Sequence, residues 1–403
     1  MVRQAPIRKC RQINGKCRVK IRIRKGWNEG KRINLNFAAQ IDSLTGKNKV
    51  IVGLSGGVDS SVAAYLLKQQ GYQVSGVTMA LWDGQYQSTG KHACYGSDEE
   101  EEIREASELA RKLGISHHVY DCSSAYRESV LQYFKSEYIA GRTPNPCVKC
   151  NQLIKFGLLP EMAEKEGLQF DFFATGHYAK TGWSEEKQRF LLKKGVDIHK
   201  DQTYFIYRLS QEQLSRIIFP LGGYTKTEIK ALAREVGITM VDMEESQDFY
   251  GGDYKELLDA PETPGDIVDS KGKVLGSHKG IWNYTIGQRK GMGIAHTEPL
   301  YVIAFDKEKN TVIVGNREET FSTSFFVNDL NWISIEQLLR PMEVQCKIRS
   351  AQKEKDALIE PLENGEIKVT FFHPSDSITP GQSAVFYEGD EVVGGGIIKS
   401  IRN

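Results

Sequence analysis

The sequence predicts an α/β protein: a doubly wound parallel sheet, followed by a small central domain and a C-terminal β-barrel. Three observations carry this. Apolar runs alternate with helical periodicities from Lys49 to Ala179, the pattern of a parallel sheet with helices on its faces. After Phe219 the alternation gives way to one amphipathic helix, TKTEIKALAREVGI, and from Gly265 glycines cluster and strands shorten. From about Pro299 onward YVIAFD, TVIVG, EVQCKIR, EIKVTFF, SAVFYEGD and VVGGGIIKSI read as successive strands of a barrel or sandwich. Length agrees, because 403 residues exceed what one compact core holds. The boundaries read as 1–46 for a basic extension, 47–224 for the sheet domain, 225–297 for the central domain and 298–403 for the barrel.

The extension carries twelve Lys and Arg from Arg3 to Arg32 against one acid, Glu29. Such a block reads as a nucleic-acid-binding or disordered tail, or as the product of an upstream start. KVIVGL (49–54) is suited to a buried parallel strand, and Ser60 to Gln69 is a helix closed by Gly71. YQVSGVTMALW is a second strand, followed by a polar loop with Cys94. EEIREASELARKLGI, ESVLQYFKSEYIAG and NQLIKFGLLPEMAEKEG have helical periodicity, whereas SHHVYDC and FDFFATGHYA have strand character. Thr225, with Glu228 three residues on, makes a capping box. No run approaches the roughly 18 apolar residues that read as a membrane span. Seven cysteines without a secretory leader point to a reducing, cytoplasmic setting rather than a disulfide framework.

In LSGGVDSS the first strand passes into the first helix through two glycines. Gly56 and Gly57 permit a tight turn that aims backbone N–H groups at an anion, and the helix N-terminus adds positive potential. Ser55, Ser60 and Ser61 supply hydroxyl donors. Asp59 beside a phosphate calls for a bridging cation, so Mg²⁺ is implied. The loop lacks the lysine of a Walker A motif and does not match GxGxxG. A plain connecting turn is the competing reading.

SGGxDS resembles the PP-loop of the ATP pyrophosphatases, adenine nucleotide alpha hydrolase-like enzymes that cleave ATP between its α- and β-phosphates. GRTPNPxxxCNxxIKFG, ATGHYA, KDQTYFIYRL, FPLGGYTKTEI, GKVLGSHKGIWNYTIGQRKGMGI and TPGQSAVFY...GGG follow in order from 141 to 396. With SGGVDSS they closely resemble the bacterial tRNA-specific 2-thiouridylases, over about residues 48–403. The resemblance implies ATP-dependent 2-thiolation of the wobble uridine of tRNA. The uracil 2-oxygen takes AMP, pyrophosphate leaves with Mg²⁺ neutralising its charge, and a sulfur nucleophile displaces AMP from carbon 2. It implies an ATP cradle of Gly53, Leu54, Ser55, Gly56, Gly57, Val58, Asp59 and Ser60, with Met79 by the adenine and Gly176 closing the pocket. Contacts with tRNA are implied for Asn145, Pro146, Cys147, His177, Lys200, Asp201, Gln202, Arg349 and Gln382, although Ser350 sits where relatives often carry an aromatic. Lys279, Arg289 and Lys290 form a basic, aromatic-interleaved patch, or a solvated turn. The implied partners are tRNA and a sulfur donor, either a cysteine desulfurase relay protein or free sulfide.

Cys150 matches the family's catalytic cysteine in PNPxxxCN, and Cys147 falls where many members have Asp. The family's second catalytic cysteine, within a segment like SQxxCF, falls on Tyr250 of SQDFYGG. A phenol cannot carry a persulfide, so the two-cysteine relay needs a substitute. Three are open. Cys147 takes over within the CxxC; or Cys94, Cys147 and Cys150 hold a 4Fe-4S cluster whose fourth iron carries sulfide; or the thiols hold Zn²⁺ with His92 or Asp98. Cys122 and Cys346 read as packing residues, and Cys10 and Cys17 as incidental. Competing functions are an amide-forming PP-loop synthetase and a catalytically idle tRNA-binding or iron–sulfur sensing protein.

Overall fold

The computed structural model describes residues 48–85, 93–238 and 249–401, so the basic extension, with Cys10 and Cys17, and His92 lie outside the described residues. Five strands form one parallel sheet in the order Ser116–Asp121, Gln73–Ala80, Lys49–Gly53, Phe172–Ala174, Ile217–Ile218. The first strand shows why both faces are covered. Val50 and Val52 pack with Val62 and Leu66 of the helix Val58–Gln69 on one face, and Ile51 enters a separate core on the other. Each such side chain contributes about 1.5–3 kcal/mol by leaving water. Strand order reverses between Lys49–Gly53 and Phe172–Ala174, so the loops leaving their carboxyl ends diverge and leave a crevice. Those loops are SGGVD and TGH.

The barrel is six antiparallel strands closed by pairing of Phe321–Trp332 with Glu391–Ile401. A hairpin of the sheet domain, Ala179–Ser184 and Arg189–Lys194, adds to its rim through Lys193 opposite Glu391. One expectation is corrected. Tyr301–Asp306 and Thr311–Gly315, grouped with the barrel from sequence, are hydrogen-bonded into the four-stranded central sheet. There Thr311–Gly315 runs parallel to Gly265–Asp269, a pairing that adjacent-strand reasoning does not anticipate. Cys122 and Cys346 are buried as expected, and the Cys122 thiol lies 3.8 Å from Met162 Sδ.

All three parts meet at the segment GRTPNP. Thr143 N–H donates to Pro380 O (2.9 Å), and Gln382 Nε2 donates to the carbonyls of Thr143 and Pro144, both at 3.0 Å. Gly381 sits at φ +94°, where a Cβ would lie 2.8 Å from Thr143 O, so only glycine lets the turn approach. From the central domain, Thr285 Oγ1 accepts from Thr143 Oγ1 at 3.3 Å. Arg349 clasps the same junction by donating to Ile286 O, Ser377 O and Thr379 Oγ1.

Gln382→Ala removes two hydrogen bonds, about 0.5–1.5 kcal/mol each. The expected result is faster amide exchange in Thr143–Cys150 with unchanged protection in the barrel strands, read by hydrogen-exchange mass spectrometry; unchanged exchange at Thr143 would contradict the latch.

Candidate active site

The crevice is a cavity of about 340 Å³. Its floor is the glycine loop. Leu54 is tied into the sheet by its N–H to Val77 O (2.8 Å) and by Thr78 Oγ1 to its carbonyl (2.7 Å). Gly56 takes φ +73°, and Ser60 Oγ and Ser61 Oγ both donate back to Gly57 O. The helix Val58–Gln69 begins at Gly57 with no side-chain cap, so its first N–H groups face the cavity without an intrahelical partner. An anion is the natural ligand for them. Gly176 closes the loop from the other side: a Cβ there would lie 2.7 Å from Ser60 N and the Asp59 carbonyl carbon. Met79 lines the cavity.

Asp59 has two partners within the chain. Its carboxylate accepts both from Lys226 Nζ, at 2.8 Å to each oxygen, and from the Tyr178 hydroxyl at 2.9 Å. An ammonium of the chain itself therefore lies beside Asp59. Lys226 opens the helix Lys226–Glu235, with Lys230 one turn on, and both line the cavity. The Thr225–Glu228 capping box fixes that helix start. Sequence reasoning found the box and missed the lysines, whose four-residue spacing puts them on one helix face. Opposite them Glu99, Glu102 and Glu105 of the helix Glu99–Leu113 line the same cavity. Burial, with Glu99, Asp98 and Glu105 nearby, pushes the Glu102 carboxyl up to about 7. Single carboxylate oxygens of this kind are ones Mg²⁺ takes together with nucleotide phosphates, which would supply most of its ligands. When bound, the ion would supply neutralisation of the leaving pyrophosphate.

Three thiols surround the buried Tyr126 hydroxyl, and one of them, Cys94, lines this cavity. Asn145 caps the helix Pro146–Cys150 by accepting from Val148 N (3.2 Å), and Pro146 fills its first turn. Cys147 and Cys150 therefore stand on a helix end, both half-buried. Cys94 is exposed and lines the cavity. All three raise the pKa of one common neighbour, the buried Tyr126 hydroxyl, whose largest perturbation is burial. The Cys150 thiol is pushed up to about 12 by burial, with Cys94 and Cys122 adding to the rise and Lys155 opposing it. It is protonated and a weak nucleophile at neutral pH. Tyr250, where the family's second cysteine falls, is buried, and its hydroxyl donates to Glu256 Oε2 (2.6 Å). It also bridges to Tyr95, so the segment carrying Cys94 runs directly beside the position that lacks a cysteine. Among the described residues no three His, Cys, Asp or Glu side chains are assembled to hold a metal ion, and His92 lies outside them.

His177 lines the cavity with Nδ1 2.8 Å from Thr175 Oγ1 and its ring between Phe156 and Phe219. Burial, reinforced by Lys155, holds it well below the usual histidine range, so it is neutral at physiological pH. A helix with a π-turn at Asn151–Leu158 carries Lys155 into the cavity, a residue that sequence reasoning passed over. The remaining expected tRNA contacts make the following bonds within the chain. Asp201 accepts from Thr203 N and Oγ1, Gln202 Oε1 accepts from Tyr178 N, and Arg349 and Gln382 form the latch described above. Lys200 N–H bonds Asp197 O. Lys279 pairs with Glu262 at 2.9 Å, while Arg289 and Lys290 are exposed.

Comparison with known proteins matches most of the chain. A family profile described as "tRNA methyl transferase HUP domain" covers residues 48–250. Profiles for a "tRNA methyl transferase PRC-barrel domain" and an "Aminomethyltransferase beta-barrel domain" cover 257–316 and 322–398. The tRNA-specific 2-thiouridylase MnmA of Endomicrobium trichonymphae is 48% identical over 355 residues, 87% of this chain and 98% of that protein. The proteins of the same name from Acetivibrio thermocellus and Caldanaerobacter subterraneus are each 46% identical, over 88% and 87% of this chain and 99% and 98% of their own.

Gly176→Ala drives a methyl into the loop backbone, and Lys226→Gln leaves the Asp59 charge facing an incoming phosphate. Both variants are expected to lose ATP affinity about tenfold or more in calorimetric titration. Wild-type affinity in Lys226→Gln would show that the pair plays no part in binding.

Proposed function

The chain belongs to the tRNA-specific 2-thiouridylase family, and on that premise we propose that it activates the wobble uridine of tRNA with ATP and replaces its 2-oxygen by sulfur. It is a tRNA sulfurtransferase. The observation that carries the finer reading is the single cavity shared by an uncapped helix N-terminus over a glycine loop and the Cys94 thiol, with Cys150 in electrostatic reach. Among the described residues no helix is long and apolar enough to cross a membrane.

Uracil's 2-carbonyl is a poor electrophile, so its oxygen must first become a leaving group. The loop N–H groups hold the phosphates, and Lys226 and Lys230 are placed to offset charge that builds on the departing pyrophosphate. His177, neutral and walled by aromatic rings, suits a base more than a phosphate. Sulfur then arrives as a persulfide on Cys150. Its terminal sulfur forms the bond to carbon 2, and the bond from carbon 2 to the AMP oxygen breaks with AMP taking the electron pair. The product is held as uridine–S–S–Cys150. Cys94 attacks the Cys150 sulfur, releases 2-thiouridine with its sulfur and electron pair, and leaves a Cys94–Cys150 disulfide. An external dithiol returns the two electrons. Cys94 is favoured over Cys147 as the resolving thiol because it lines the nucleotide cavity, perturbs Cys150, and sits beside the Tyr250 position.

The test is anaerobic incubation of unmodified tRNA with Mg-ATP, a persulfide donor and a dithiol, followed by nucleoside mass spectrometry. 2-Thiouridine is expected from the wild type, together with AMP and pyrophosphate in equal amounts; Cys150→Ser is expected to lower it at least about 100-fold. Absence of 2-thiouridine from the wild type would contradict the enzymatic reading, and the same tRNA bound without turnover would favour an idle binding protein.

A further inference from the structure

Among the described residues three ammonium groups line the nucleotide cavity, those of Lys226, Lys230 and Lys155. The first two stand one turn apart on the helix Lys226–Glu235, and Lys226 is bound to the Asp59 carboxylate. Lys155 stands instead on the helix of the thiols, five residues after Cys150. It is half-buried, and its side chain makes no hydrogen bond or ion pair with any described residue. A half-buried ammonium without an anion is costly to keep. An anion entering the cavity is the partner left for it.

A local distortion of the helix aims Lys155 at the cavity. The helix is continuous from Pro146 to Lys165, but Asn151–Leu158 is wound as a π-turn. In a regular α-helix the fifth residue on lies about 140° around the axis, so Lys155 would leave the face of Cys150. The i→i+5 bonds of a π-turn widen the winding and return that residue toward the same face. The winding is also held from outside. Gln213 Nε2 donates to the carbonyls of Gln152 (3.2 Å) and Phe156 (3.0 Å), and Asn151 Nδ2 donates to Phe205 O (3.1 Å). Leu159, four residues beyond Lys155, lines the cavity with it.

Lys155 reaches both ends of the sulfur-transfer step. Burial dominates the shifts of Cys150 and His177, and the Lys155 charge opposes it at the first and reinforces it at the second. The ammonium therefore stands in electrostatic reach of thiol and imidazole alike. His177 suits the base, and Cys150 carries the sulfur, so carbon 2 of the uracil lies between them when sulfur arrives. The anion on that carbon is AMP, joined through the former 2-oxygen. The sulfur–carbon bond forms and the carbon–oxygen bond breaks, handing its electron pair to that oxygen, so the phosphoryl group gains a negative charge. A fixed cation accelerates a step where charge grows, not where it merely sits.

We propose that Lys155 is a catalytic residue of the sulfur-transfer step: its ammonium contacts the phosphoryl group of the adenylated uridine and offsets the charge that AMP acquires as sulfur displaces it. The inference rests on the thiolation reading and adds a division of labour to it. Lys226 and Lys230 serve the pyrophosphate of the first step, and Lys155 serves the AMP of the second.

Single-turnover reactions separate the two steps. Enzyme in excess over unmodified tRNA, with a persulfide donor present, receives Mg-ATP labelled on its α-phosphate. Label entering tRNA reports adenylation, and its loss from tRNA, matched by 2-thiouridine in nucleoside mass spectrometry, reports sulfur transfer. Lys155→Gln is expected to slow the loss of label about 100-fold. Label is expected to enter tRNA within about fivefold of the wild-type rate, so adenylated tRNA accumulates. Lys155→Arg, which keeps the charge, is expected to recover most of the transfer rate. Lys155→Met repeats the test with a second neutral side chain, should the glutamine variant not fold. The inference is overturned if the neutral variants transfer sulfur at the wild-type rate. It is equally overturned if they slow the entry of label as much as its loss, which would place the lysine at the first step. A wild type that neither labels tRNA nor makes 2-thiouridine contradicts the enzymatic reading and the inference with it. A wild type that turns over beside an equally active Lys155→Gln contradicts the inference alone.

Discussion

The carboxylate of Asp59 organises the nucleotide site. It sits in the first turn of a helix whose N-terminus is aimed at an anion, where a negative side chain alone would repel phosphate. Lys226 removes that repulsion from a helix 167 residues further along the chain, and Tyr178 fixes the carboxylate from the strand tail beyond the switch point. Three segments from three places in the sequence are thereby locked around one charge. Both partners are largely shielded from water, so truncating either leaves a stranded charge at a cost on the order of 3 kcal/mol. Gly176 completes the lock sterically, since its missing side chain is what allows the strand tail to rest on the loop backbone.

The thiol helix is governed by a different constraint, one of position rather than charge. Its Asn145 cap and Pro146 start set the helix direction, but the approach to it, Thr143 and Pro144, is gripped by the barrel's Pro380–Gln382 turn and by Thr285 of the central domain. An RNA that engages either of those parts therefore acts on a segment mechanically joined to Cys150. The burial that holds the Cys150 thiol near 12 has a chemical consequence too. A protonated thiol is protected from adventitious oxidation, and it becomes useful when sulfur is delivered to it.

Much of this was legible in the sequence where spacing is local. SGGVDSS announces an anion loop because glycine and serine chemistry acts within a few residues, and the alternation around it specifies the parallel sheet. The Thr225–Glu228 box is equally local and was read correctly, yet its neighbour Lys226 was not, because its partner Asp59 is distant in sequence. The same limit hid the partners that Gln202, Arg349 and Gln382 have within the fold. Tyr178, Ile286 and Thr143 bond to them across the folded chain, at separations that no local pattern reveals. Strand grouping failed at Tyr301–Asp306 and Thr311–Gly315 for a related reason: a parallel pairing with Gly265–Asp269 leaves no turn signature. The departure at Tyr250 was visible, whereas its spatial neighbour across the Tyr95 bridge was not.

The central claim is that sulfur leaves Cys150 as a covalent uridine adduct and that Cys94 frees it. Cys94→Ser, incubated anaerobically with a persulfide donor, Mg-ATP and tRNA, is expected to accumulate a protein–tRNA crosslink. On a denaturing gel that species should disappear on adding dithiothreitol, and peptide mass spectrometry should locate it at Cys150. Accumulation in Cys147→Ser with none in Cys94→Ser would contradict the account.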